Sequence, residues 1–136
     1  MVEGRFVARP SRFLGIASVG GGRVKTFIPN PGRMGELLFP GSRVVLREVG
    51  GPRRKTHYEV IGVRLGQADV LIDSRVPNLL LEELLRERRL PIGLRYDRVI
   101  REPLLGRSRL DFELRNGERA ILEAKAVTLV EDGVAL

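Results

Sequence analysis

The stretch GRSRLDFELRNGERAILEAK, residues 106–125, decides how the second half of this chain folds. Side chains alternate across a strand. Leu110, Phe112 and Leu114 therefore take one face of the first arm, and Arg109, Asp111 and Glu113 take the other. Asn116-Gly117 interrupts the run with the strongest short hairpin signal. On the return arm Glu123 and Lys125 stand two apart and share a face. Whether Asp111 shares it depends on the turn. A two-residue loop sets Asp111 opposite Leu122 and turns Glu123 away. A three-residue loop, 115–117, pairs Leu114 with Glu118, sets Asp111 opposite Ile121 and restores the shared face. A bulge has the same effect. We expect that offset, with Asp111, Glu123 and Lys125 together. Two carboxylates and a lysine on one face are a minimal kit for metal-assisted phosphodiester hydrolysis, because charge inside an apolar strand is costly unless paired or metal-bound. A solvated strand carrying a Glu–Lys pair fits the same spacing.

Upstream of this hairpin, Pro77 opens a helix expected to run to about Arg89. Leu80, Leu81, Leu84 and Leu85 fall at helical spacing, and Glu82, Glu83, Arg86 and Glu87 occupy the other side. Pro91 and Gly93 end it. Strands are expected at 96–101, 107–114 and 119–129.

The first half reads differently, as short strands and turns. Strands are expected at 4–9, 12–19, 23–28, 43–49 and 56–65. Gly20-Gly21-Gly22 is a turn, with no helix behind it to make a phosphate loop. Pro29-Asn30-Pro31-Gly32 is a breaker, and residues 29–34 are expected as a rigid turn against the core with Arg33 outward. One helical turn follows over 33–39. Closely spaced strands of this kind predict a small OB-like barrel, and another small barrel fits nearly as well. The boundary between the halves is placed at 68/69, giving a basic barrel (1–68) and a second domain (69–136). The fold class is thus mixed β and α+β.

Charge divides along the same line. The chain has 136 residues and a net charge of +7. Residues 1–68 carry ten Arg and two Lys against four Glu, a net of +8, and the remainder is −1. This asymmetry points to a polyanion partner for the barrel. The candidate phosphate contacts are Arg12, Arg33, Arg53, Arg54 and Lys55. The last three form a loop beside His57 and Tyr58 that reads equally as a plain basic loop. Only 5% of residues are aromatic, which favours backbone contact over extensive base stacking. With no cysteine and one histidine, thiolate sites and multi-histidine metal centres are excluded. No run reaches the ~18 apolar residues of a membrane span, and residues 1–10 do not read as a secretory signal. A cytoplasmic protein with no membrane partner is expected.

Several ordered motifs resemble the sugar fermentation stimulation protein A family. Gly106-x-Ser108-Arg109-x-Asp111-Phe112 followed by Glu123-x-Lys125-x-Val127-Thr128-Leu129 is similar to its PD-(D/E)XK nuclease-like motif. Arg12-Phe13-Leu14, Pro29-Asn30-x-Gly32-x-Met34, Pro40-Gly41, Asn78 and Glu83 match further positions. Ala126 departs from the Ser that follows the motif lysine in many members. The resemblance implies an OB-fold-like domain followed by a restriction-endonuclease-like domain. It further implies DNA binding and a part in regulating sugar-utilisation genes. By the same resemblance Asp111 and Glu123 are metal ligands, most simply for Mg, with the Ala124 carbonyl as a third. Lys125 orients water and Glu83 is an outer ligand. The family pattern continues past residue 136 with elements not found here. The expectation is therefore a partial nuclease-like domain of helix and hairpin, of little nuclease activity by itself: either the chain is a fragment or a shortened reading frame, or its open side is covered by a partner chain, as in a homo-oligomer.

Overall fold

The computed structural model describes residues 1–128 and the backbone of residues 130, 131, 134 and 135. The chain divides into two compact units, Met1–Ser74 with Val127–Leu136, and Arg75–Ala126.

The first unit is built on β1 (Val2–Ser11), β2 (Leu14–Val19), β3 (Gly22–Phe27), β4 (Arg43–Glu48), β5 (Tyr58–Leu65) and β6 (Ala68–Leu71). Their order is β3-β2-β1-β4-β5-β6, and parallel pairing of Thr26 with Tyr58 and Phe27 with Glu59 joins β3 to β5. That closes a five-stranded OB-like barrel, as the strand spacing predicted. β6 pairs antiparallel with β5, so the first unit extends through Ser74, beyond the charge boundary at Ala68.

Local sequence explains the turns. Val19 faces Gly22 across a two-residue loop in which Gly20 and Gly21 have φ of 56° and 84°. This is the left-handed pair that a tight hairpin requires. Gly15 is needed for a different reason: a Cβ there would lie 2.7 Å from the Thr26 hydroxyl, inside the barrel wall. Pro10 does not separate two strands as expected. It sits within β1, past Arg5, the last residue paired with β4, and at the irregularity in the β1–β2 ladder between the Ala8–Ile16 and Ser11–Leu14 pairs, where a missing N–H is tolerated. Alternation sends Phe6, Ala17, Val44, Leu46, Val60 and Val63 inward, all 2% exposed or less. Met34, Leu37 and Leu38, from the expected turn at 33–39, join the same core.

The second unit contains α1 (Val76–Arg86), β7 (Arg98–Arg101), β8 (Leu104–Leu105), β9 (Ser108–Arg109), β10 (Phe112–Asn116) and β11 (Glu118–Leu122). A short pair, β12 (Val130–Glu131) and β13 (Val134–Ala135), follows. β10 is the middle strand of β11-β10-β7. Its Phe112 and Leu114 pack with Leu85 of α1 and with Tyr96, whose hydroxyl donates to the Leu85 carbonyl at 2.6 Å. Leu81 also packs here, whereas Leu79 and Leu80 are half-exposed. The helix ends at Arg86, three residues before the expected end, and Arg88 already has a φ of 55°.

Two strand expectations are corrected. The run 107–114 is broken into β9 and β10, with Leu110 and Asp111 between them. The strand expected over 119–129 ends at Leu122, because the Ala124 N–H bonds to the Asp111 carboxylate rather than to a neighbouring strand.

Candidate functional site

The hairpin register decides the acidic site. Phe112 faces Leu122, Glu113 faces Ile121 and Arg115 faces Arg119, with Gly117 alone at the tip at a φ of 75°. The parity is the expected one. The turn lies one residue later than 115–117, so the pairing is shifted by two. The ladder ends at the Phe112–Leu122 pair, so Asp111 and Glu123 follow directly on the two arms, outside the strands.

The surroundings of Asp111 are built. Its Oδ1 accepts from Asn78 Nδ2 on α1 at 2.9 Å, and its Oδ2 accepts from the Ala124 N–H at 2.7 Å. Its own carbonyl accepts from the Glu102 N–H at 2.9 Å. Asn78 thus aims the carboxylate. Ala124 contributes its N–H to Asp111, where a carbonyl ligand was expected. Lys125 Nζ hydrogen-bonds Glu123 Oε1, and this contact raises the lysine pKa, reinforced by the charges of Glu123 and Asp111. Glu83, the expected outer ligand, is exposed on α1. Its neighbour Glu82 pairs with Arg86 and Arg101 at 2.8 Å each. Among the described residues no group of three His, Cys, Asp or Glu able to hold a metal is assembled. The acidic site is therefore two carboxylates, an amide and an amine.

Glu113, two residues further on in β10, is taken up by cations. It is 1% exposed, lies 3.0 Å from Arg119 and touches Arg115. The hydrogen bond from Arg119, then that from Arg115, holds its pKa below the usual carboxylate value.

Apart from Arg5 and Arg9, which bond backbone carbonyls, the basic residues of the barrel divide into two groups. Arg43 and Arg64 pair with Glu3 at 3.0 and 2.6 Å. Arg47 and Arg54 cover the buried Glu59 at 2.7 and 3.0 Å. Arg54, expected as a phosphate contact, is therefore the anchor of its loop. Arg12, Arg23, Lys25, Arg33, Arg53 and Lys55 are all exposed and make no ion pair among the described residues.

Two members of this second group, Arg12 and Arg33, meet at one place. They line a cavity of about 410 Å³ with Arg9, Ser11, Pro31 and Gly32. Arg9 builds that cavity. Its Nε donates to the Arg12 carbonyl at 3.2 Å. Its Nη2 donates to Arg12 O at 2.7 Å and Asn30 O at 2.9 Å. Its Nη1 donates to Gly32 O and Arg33 O, both at 2.6 Å. All five guanidinium hydrogens are thus used on backbone carbonyls. Partial burial lowers the Arg9 pKa. From the other side, Asn30 Oδ1 accepts from the Gly32 N–H and Asn30 Nδ2 donates to Ile72 O, both at 2.9 Å. The turn at 29–34 is tied down by these bonds, with Pro29 and Met34 buried, residues 31–33 exposed and Arg33 outward as expected. No local pattern singled out Arg9: its partners lie up to 24 residues away.

Two family models match the chain. One described as the SfsA N-terminal OB domain covers residues 7–72, and one described as the sugar fermentation stimulation protein RE domain covers residues 75–136. A sugar fermentation stimulation protein homolog of Clostridium kluyveri is 37% identical over 138 residues, spanning 100% of this chain and 60% of that protein. One from Clostridium tetani is 41% identical over 131 residues, 95% of this chain and 57% of that protein. Among solved structures, Pyrococcus furiosus SfsA in complex with Ca2+ superposes with a TM-score of 0.83 at 29% identity. The match covers 96% of this chain and 56% of that one. The chain therefore spans about 60% of the length of the curated relatives it matches.

Proposed function

Because the chain belongs to the sugar fermentation stimulation protein family, we propose that it is a cytoplasmic DNA-binding protein that contacts the phosphate backbone through its barrel and acts on sugar-metabolism genes. The observation that carries this reading is the exposure on the barrel of Arg12, Arg23, Lys25, Arg33, Arg53 and Lys55 with no ion pair among the described residues; Arg33, Arg53 and Lys55 flank turns. The family's name supports the regulatory part. Arginine binds phosphate as a planar fork, and exposed unpaired arginines have no competing carboxylate to displace. Binding through phosphates releases counterions, so the logarithm of affinity falls with the logarithm of salt by ~0.9 per contact. Fluorescence anisotropy of a DNA duplex between ~50 and ~200 mM salt measures that slope. Arg33→Gln and Arg53→Gln are each expected to weaken binding and flatten the slope by about one contact. Salt-independent binding, or slopes untouched by both substitutions, would reject the reading.

A second reading, a metal-dependent phosphodiesterase, is supported by Asp111 and Glu123 standing at the open end of one ladder, with the Ala124 N–H on the Asp111 carboxylate. The donor set fits a hard divalent cation. Each Asp111 oxygen accepts one hydrogen bond and keeps a lone pair, and Glu123 is half-exposed. Two carboxylates suit Mg, which keeps most of its waters, better than a full protein cage. The relative solved with Ca2+ supports a divalent cation here. When bound, such an ion acts as a Lewis acid at a phosphoryl oxygen. Asp111 and Glu123 would hold it, Asn78 fixes the Asp111 carboxylate, and Lys125 presents an ammonium to developing negative charge. Mg-dependent nicking of plasmid DNA that disappears in Asp111→Asn tests this reading. Nicking that persists in the variant would reject it.

A further inference from the structure

The cavity framed by Arg9, Arg12 and Arg33 has properties that a general backbone contact does not need. We infer that it binds a phosphomonoester, the terminal phosphate of a nucleic-acid strand or of a free nucleotide, in preference to an internal phosphodiester. This goes beyond the proposed DNA binding and rests on it only for where the phosphate comes from.

Three features point to an anion with more than one charge. First, no carboxylate lines the cavity among the described residues: its polar side chains are three arginines and Ser11. Second, Arg9 contributes charge without hydrogen bonds to spare, since its five N–H groups are spent on the carbonyls of residues 12, 30, 32 and 33. Its positive charge is left uncompensated at the base of the site. Third, Arg12 and Arg33 are exposed, outside any ion pair among the described residues, and carried on the two chain segments that Arg9 ties together. Three clustered positive charges favour an anion carrying more than the single charge of a phosphodiester. A phosphomonoester presents three terminal oxygens and about −1.5 to −2 charges at neutral pH. It matches the gathered positive charge and gives both exposed forks oxygens to bind.

The site is also preorganised. Ser74 N and Oγ both bond the Pro29 carbonyl, at 3.2 and 2.8 Å, while Asn30 bridges to Gly32 and Ile72. Met34 is held buried at a φ of 48°, a left-handed conformation that a methionine rarely adopts. Strain of this kind persists only where the surroundings over-determine the backbone, and it gathers at ligand sites.

The test uses the full chain in EDTA, which removes any contribution of divalent cations. Affinity is measured by fluorescence anisotropy for two single strands of identical sequence, 3′-labelled, with a 5′-phosphate or a 5′-hydroxyl. The phosphorylated strand is expected to bind about tenfold more tightly, the gain of one or two charge-assisted hydrogen bonds. Arg12→Gln and Arg33→Gln are expected to bring the ratio close to one. Arg53→Gln, on a different loop, should weaken both strands and leave the ratio intact. Competition with a nucleoside 5′-monophosphate, against the nucleoside itself, distinguishes the source. Selective displacement by the monophosphate at lower concentration than the phosphorylated strand identifies a free nucleotide, and the reverse order identifies a strand end. Equal affinity for both strands, together with no advantage of monophosphate over nucleoside, would overturn the proposal. So would a ratio that survives both arginine substitutions. A chain that fails to bind DNA but holds a nucleoside monophosphate, and loses it in Arg33→Gln, would leave this site standing while the DNA reading falls.

Discussion

Replacing Arg9 by Met removes five hydrogen bonds and one charge while keeping most of the aliphatic bulk. Those bonds tie β1 to the 12–14 junction and to the 29–34 turn. Most are accessible to water, so each is worth the low end of the usual range, about 0.5 kcal/mol, giving roughly 2–3 kcal/mol in all. No carbonyl is replaced by another partner in the variant, although water can reach most of them. For a chain of this size such a loss lowers Tm by roughly 5–12 °C. The bonds run to neutral carbonyls, so adding salt should change the difference between wild type and variant little, unlike a surface ion pair. Thermal unfolding by circular dichroism measures the shift. Amide hydrogen exchange locates it, with faster exchange expected at Gly32 and at Leu37 and Leu38, whose N–H groups bond the Met34 carbonyl. A Tm within about 1 °C of wild type, with exchange at 32–38 unchanged, would refute the assignment of Arg9 as the rivet of this turn.

Three further outcomes follow from the geometry. Gly15→Ala places a Cβ 2.7 Å from the Thr26 hydroxyl inside a filled barrel, and denaturant unfolding should show a loss of about 1–3 kcal/mol. Glu113 has its pKa depressed by Arg119 and Arg115 from the ordinary value of 4.5, so its contribution to stability is present above that value and is lost as pH falls through the lowered one. Wild type and Glu113→Gln should therefore differ in Tm at pH 7 and converge as pH falls well below 4.5; a constant gap across that window would contradict the pairing. Asn78→Ala removes the amide that aims Asp111, at a cost of about 1–2 kcal/mol in stability. In isothermal titration it should weaken Mg binding far less than Asp111→Asn does. Equal losses would make Asn78 a ligand rather than a positioning residue.

Much of the architecture was legible in one dimension because its signals are local. The tandem glycines at 20 and 21, the Asn-Gly pair at 116–117 and the strict alternation around Phe112 each constrain backbone angles or faces within a few residues. The charge imbalance between the halves was countable from the sequence, +8 against −1. The parity of the hairpin register followed from the odd turn alone, and the shift of two residues left it unchanged. The resemblance to a known family named the motif residues.

What the tertiary structure decided are the long-range choices. Arg54 and Arg53 are adjacent and chemically alike, yet one covers the buried Glu59 and the other faces water. Nothing within their loop distinguishes them, because Glu59 sits on the following strand and its burial depends on Arg47 of β4. Asn78, rather than Glu83, reaches Asp111 because α1 packs its Leu81 and Leu85 side on the sheet, and that packing sets which turn of the helix meets the hairpin. Arg9 joins carbonyls up to 24 residues away that no periodicity connects. Local sequence fixes dihedral preferences and faces. Which of several identical charges is spent on structure and which remains for a ligand is set only when distant segments are brought within hydrogen-bonding distance.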